Sequence, residues 1–242
     1  MECTSQQIEL ALRPRTSWGG RRAGAGRKPG AQRRIPHLTR GAVRASEPCH
    51  VTLRLRSGLP GMRTRAFVAA FEDSARALRS RAEFRLTHYS IQSNHLHAIV
   101  EAESAAALRN GMTALATRLA LLVRRVLHVQ GRVLPERYHL RRLRTPREVR
   151  NALAYVLLNA RKHLAERSGR ATALRAACAA DPASSGRWFA GWASGASTAK
   201  GTNEPPPVAA ARSWLLRIGW LRHGRIDLRE IPGLRGGGGR GR

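Results

Sequence analysis

Apolar residues recur at a period of two in some stretches of this chain and at a period near 3.6 in others. Val51, Leu53 and Leu55 alternate with Thr52, Arg54 and Arg56, which predicts a strand over 50–56. SGLPG then reads as a turn. Phe67, Ala70, Phe71, Ala75 and Leu78 fall at helical spacing and predict a helix over 63–82. FRLTHYSI (84–91) and HLHAIVEA (95–102) read as two strands joined by a turn at Ser93-Asn94. Ser104 is placed to cap a helix over 105–129 with the stripe Leu108, Met112, Leu115, Leu119, Leu122 and Val126, ended by Gly131. Residues 137–143 form a short strand. Thr145-Pro146-Arg147-Glu148 is a capping box with Pro at the first helical position, and it opens a helix running to about Arg167.

The order strand, helix, strand, strand, helix, strand, helix is the split βαβ, ferredoxin-like pattern, an α+β fold with helices flanking an antiparallel sheet. It divides the chain into three parts. Residues 1–46 are rich in Gly, Arg and Pro and read as a disordered basic arm. Residues 47–167 form the folded domain. Residues 168–242 form an extension that is largely loop, with a short amphipathic segment near 213–228 and a GGGGRGR end.

Charge narrows the function classes. Lys and Arg number 44 against 15 Asp and Glu, a formal net charge of +29 over 242 residues. Self-repulsion of that size calls for a polyanionic partner or heavy counterion screening, and nucleic acid is the default partner. Lys occurs only at Lys28, Lys162 and Lys200. So strong an Arg bias is also what a GC-rich genome produces, but that does not account for the scarcity of acids. Cys3, Cys49 and Cys178 are isolated and form no CxxC, which argues against a disulfide framework and for a reducing, cytoplasmic setting. No apolar run is long enough for a membrane span, and the first residues do not read as a secretory signal, so no membrane partner is expected.

Candidate chemistry sits on the third strand and the last helix. His95 and His97 are two apart on a strand and project from one face, where two imidazoles can hold a divalent cation. With nine His in the chain, such a pair also arises by chance. On the last helix the core stripe is Val149, Leu153, Val156, Leu157, Ala160 and Leu164, and Tyr155 falls about 240° round from Val149, nearly opposite that stripe. Asn159 lies one turn further on the same face. A tyrosine kept for packing belongs on the stripe, so Tyr155 is either a surface residue or a functional one. A phenol is a poor nucleophile without help. Beside a cation that polarises a phosphate, it can attack phosphorus and form a covalent phosphotyrosine.

These residues resemble a family. SNHLHAIVE looks like the HUH motif of the single-tyrosine transposases of the IS200-like group, and RYHLRRLRTPREVRNALAYVLLNARKH looks like their strand and nucleophile helix. The resemblance is strongest to the bacterial REP-associated tyrosine transposases and covers roughly 48–166. It implies an HUH fold, Mg or Mn as cofactor, and single-stranded or hairpin DNA from repeat elements as substrate. It also implies cleavage and rejoining through a 5′-phosphotyrosine. Carried over, His95 and His97 match the metal ligands, Tyr155 the nucleophile and Asn159 a third, polar ligand. Relatives are monomers or dimers with the tyrosine helix supplied in trans, so a homodimer is one expectation. Relatives often continue Asn-Pro, whereas here Ala160-Arg161-Lys162 follow Asn159, so the helix is expected to run on.

Arg141, Arg142 and Arg144 before the helix, and Arg161 and Lys162 within it, are candidates to track a DNA backbone. Such a protein would work in the cytoplasm, associated with the nucleoid. Two other readings compete. One is a domesticated, non-catalytic binder of structured single-stranded DNA or RNA. The other is a metal-dependent phosphodiesterase using His95 and His97 on an RNA end.

Overall fold

The period-two segments pair into one four-stranded antiparallel sheet in the order β2-β3-β1-β4. In this computed structural model the described residues are 43–175, 179–193 and 205–233. The strands are β1 (Cys49–Arg54), β2 (Phe84–Ile91), β3 (His95–Ala102) and β4 (His139–Arg142). Between them run α1 (Arg65–Arg76) and α2 (Ala105–Val126), which completes the split βαβ order. The basic arm expected over 1–46 lies almost wholly outside the described residues, as do Cys3, Cys178 and the GGGGRGR end.

Both faces of the sheet are covered. On one face Val51, Leu53, Leu96, Ala98 and Val100 pack with Phe67 and Phe71 of α1 and with Leu108, Met112, Leu115 and Leu119 of α2. Period-two alternation along β2 would point Phe84, Leu86 and His88 into this core. A bulge between Leu86 and His88 shifts the phase, so Phe84, Leu86, Tyr89 and Ile91 turn inward instead. Gly111 lets α2 approach β2 closely, because a Cβ there would lie 2.1 Å from the Phe84 ring.

The opposite face carries Ile99 and His97, and it is covered by α3 (Pro146–Leu157) together with the C-terminal segment. Val149, Leu153, Val156 and Leu157 meet Phe189, Trp192, Leu216, Trp220 and Ile226 in a second core. Trp220 belongs to a 3-10 turn over Gly219–His223, which follows the short helix α6 (Trp214–Arg217). Glu101, 1% exposed, holds this segment down: it accepts from the backbone N–H groups of Arg212 (2.7 Å) and Ser213 (2.9 Å) and from Arg85 Nε (3.2 Å).

Local signals set the helix starts. The side chains of Thr64, Ser104 and Thr145 each accept from the backbone N–H three residues on, and Thr145 and Glu148 complete a capping box. The ends differ from expectation. The first helix stops at Arg76 rather than 82, because the chain tightens into i→i+3 bonds from Leu78 to Ala75 and from Arg79 to Arg76. The helix expected to run unbroken from 146 to about 167 is two helices, α3 and α4 (Asn159–Ser168). Leu158 adopts φ −110° and ψ 15°, outside the helical range, and its carbonyl then accepts from both Arg161 N (3.0 Å) and Lys162 N (3.1 Å) to start the second. A short helix α5 (Arg170–Arg175) follows. Among the described residues no helix is long and apolar enough to cross a membrane.

Candidate active site

Strand alternation and register build the site on the α3 face. His50 and Thr52 of β1 share that face with His97, and Thr52 pairs with His97 across the ladder. His95, two residues before His97, projects on the same side. The two imidazoles meet: His95 Nε2 and His97 Nε2 lie 3.0 Å apart. Each ring is held from behind. His95 donates from Nδ1 to Asn94 Oδ1 (2.7 Å), which leaves its Nε2 as the lone-pair nitrogen. His97 Nδ1 lies 3.0 Å from Thr52 Oγ1 and 3.3 Å from His50 Nε2.

Tyr155 comes down from α3 onto this group. Its ring stands edge-on to His97 with centroids 5.1 Å apart, and edge-on to His50 at 5.7 Å. The tyrosine that falls off the helix's core stripe is therefore half-buried against imidazoles rather than free at the surface. Lys162 Nζ sits 5.2 Å from the Tyr155 ring centroid, and the His163 ring lies 6.4 Å from that of His95. The break at Leu158 thus leads into a second helix that brings Lys162 and His163 to the site.

The imidazoles are neutral near pH 7. Burial, with the nearby His50, His95, His163 and Lys162 charges adding to it, pushes His97 down to about 2. Burial, then Arg54 and His163, lowers His95 to about 4. Burial, then His139 and Arg141, lowers His50 to about 4. Neutral imidazoles are the form that ligates a cation.

Asn159 does not share the half-open position of Tyr155. It is fully buried at the first turn of α4, and neither its Oδ1 nor its Nδ2 has a hydrogen-bond partner among the described residues. Also among the described residues, no three His, Cys, Asp or Glu side chains form a metal-holding group.

Two hollows lie beside these residues. A groove of about 680 Å³ is lined by His50, Tyr155, Arg141, Glu148 and Arg150, with residues 230–233 along it. A cavity of about 620 Å³ is lined by His95, His163, Arg63, Arg161 and Arg167.

Comparison with known proteins adds one likeness. No protein-family profile matches the chain, and no curated protein matches it. Among solved structures, a REP-associated tyrosine transposase bound to a REP hairpin is similar to it at 13% identity, over 53% of this chain and 74% of that one, with a TM-score of 0.43. Function therefore has to be read from this chain's own geometry.

The candidate backbone-tracking cations are dispersed. Arg141 pairs in register with His50, lies on the site face and reaches Glu148 Oε1 at 3.1 Å. Arg142 is on the opposite face of β4, 3.8 Å from Glu47. Arg144 is exposed, and its backbone N–H donates to Glu148 (2.7 Å). Arg161 is buried along the cavity rather than on an open surface. Sequence reasoning missed His50, Thr52, Asn94 and His163. For His50 and Thr52 the signal was the polar side of the alternating HVTLRLR stretch, but only the β1–β3 register shows which residue opposes His97.

Proposed function

We propose that this chain is a DNA strand-cleaving and rejoining enzyme that works on single-stranded or hairpin DNA through a 5′-phosphotyrosine at Tyr155. The observation that carries the reading is the edge-on contact of Tyr155 with His97, whose Nε2 faces that of His95 at 3.0 Å. The net charge of +29 supports a polyanionic substrate.

The residues fit a divalent cation. His95 Nε2 and His97 Nε2 face each other at 3.0 Å: with the ring proton of neutral His97 on Nε2 they share a hydrogen bond, and with it on Nδ1 they present two lone pairs that a cation can accept. Asn159 offers a buried amide oxygen with no other partner. His95 and His97 would hold the ion, and Asn159 is the third ligand that the family resemblance implies. When bound it supplies polarisation of a phosphate oxygen.

The chain's own residues do the rest. The His50 and His97 rings fix the Tyr155 ring, and Lys162 brings a positive charge beside it toward an incoming phosphodiester. The Tyr155 Oη–P bond forms as the P–O3′ bond breaks, and the phenolic proton passes through solvent to the departing 3′-oxygen. No water is consumed, so the reverse reaction reseals the strand.

The test is a labelled single-stranded hairpin incubated with Mg or Mn. A covalent protein–DNA adduct is expected, and it should vanish in Tyr155→Phe. An adduct that persists in that variant would overturn the assignment.

A further inference from the structure

The C-terminal segment that covers the second core leaves part of its own outer side apolar and open. Five large apolar side chains are exposed among the described residues, and three of them lie on this one segment: Trp214 (46%), Ile218 (55%) and Leu221 (37%). The Ile218 N–H donates to the Trp214 carbonyl and the Leu221 N–H to the Ile218 carbonyl, each at 3.0 Å, so the three recur one turn apart. Exposed apolar side chains gathered in this way mark an interaction site, whereas scattered ones need no explanation.

Leu221 also lines a cavity of about 840 Å³ between β2, residues 187–191, residues 206–211, and α6 with the turn after it. Its lining shares no residue with the two hollows near the histidines. Phe189, Leu216 and Trp220 give it a buried apolar floor. Arg79, Arg217 and Arg225 are exposed on the lining, which holds no carboxylate. Arg79 donates to the Pro206 carbonyl (3.1 Å) and Arg225 to the Ala190 carbonyl (3.0 Å), neutral acceptors that leave the charge uncompensated. A fourth guanidinium on the lining, Arg187, is by contrast paired with Glu72.

Nucleic acid, the substrate proposed for Tyr155, fits this surface poorly. Unpaired bases bind by stacking on open ring faces. Here Phe189 and Trp220 are buried, and guanidiniums lie over the other two rings: Arg187 over Trp188 at 3.9 Å and Arg222 over Trp214 at 4.8 Å. Ile218 and Leu221 are aliphatic. A second copy of this chain fits no better, because 44 Lys and Arg against 15 Asp and Glu would set like charge on the three arginines. We propose that this surface docks an acidic segment of a partner protein, with an apolar anchor against Ile218 and Leu221 and carboxylates on Arg79, Arg217 and Arg225.

The probe is a random peptide library displayed on phage and selected on the full chain, with the best binder then synthesised and labelled. Selected peptides should carry Asp or Glu on both sides of an aromatic or aliphatic residue. Kd for the labelled peptide should rise about tenfold or more in Arg217→Glu and about threefold or more in Ile218→Ser. Arg109→Glu, an equal charge change at an exposed site on α2, should move it less than about twofold. A library that yields no acidic peptides, or a loss in Arg109→Glu equal to that in Arg217→Glu, would overturn the proposal. So would a single-stranded oligothymidine that loses affinity in Arg217→Glu and Ile218→Ser but not in Arg109→Glu, because nucleic acid would then occupy the surface. The inference does not rest on strand transfer at Tyr155: Arg217→Glu should still form the hairpin adduct, and peptide binding should persist in Tyr155→Phe.

Discussion

Thr52 and His97 face each other across the β1–β3 ladder, and Thr52 Oγ1 lies 3.0 Å from His97 Nδ1. A proton on that nitrogen, donated to the hydroxyl, leaves the Nε2 lone pair aimed at His95. In that tautomer the threonine hydroxyl holds the ring with Nε2 toward His95, and neighbours of this kind orient ligands without touching the reaction.

Thr52→Val keeps the shape of the side chain and removes the hydroxyl. Adduct formation should fall about 10- to 100-fold, with the loss eased by raising the Mg or Mn concentration. Thermal unfolding should move little. The metal titration is the decisive measurement, since a purely structural role would not shift it.

Gly111→Ala should destabilise the fold. Alanine is the better helix former by about 1 kcal/mol. Here its Cβ would lie 2.1 Å from the Phe84 ring, and overpacking of that kind costs about 1–3 kcal/mol. The Tm should drop in Gly111→Ala, and Phe84→Leu should recover part of the loss in the double variant.

Glu101→Ala should release the C-terminal segment. It removes the acceptor for Arg212 N–H and Ser213 N–H and leaves Arg85 with its guanidinium buried. Removing one partner of a buried pair costs about 3–5 kcal/mol. Limited proteolysis should cut within 205–228 before the sheet is attacked.

Stability should fall with acid below pH 6.5. Burial lowers His88 to about 4, with the Glu101 carboxylate pulling weakly the other way, while its value in the unfolded chain is near 6.5. Between those values the unfolded chain binds the extra proton, so stability drops as pH falls from about 6.5 to about 4 and this contribution is gone below that. The gap corresponds to at most about 3 kcal/mol. His88→Asn should flatten the slope of urea midpoint against pH in that window.

The alternation of β1, the caps at Ser104 and Thr145, and the off-stripe position of Tyr155 were legible from residue order alone. Each depends on neighbours a few residues away: a strand's two faces, a hydroxyl reaching a free N–H, a helix's 100° step. So the α+β order and the shared face of His95 and His97 could be read before any strand was paired.

Other features required the folded chain. The bulge after Leu86 changes which β2 residues are core, and only pairing with β3 requires it. The break at Leu158 separates Tyr155 from Asn159, because Leu157 and Leu158 both turn into the interior while Lys162 comes over the tyrosine ring. His50 and Thr52 reach His97 through a β1–β3 register that spans 45 residues or more of chain. A single sequence determines periodicity, since periodicity is local. Which imidazole faces which hydroxyl is decided by packing between distant segments, and here that packing assembles the site.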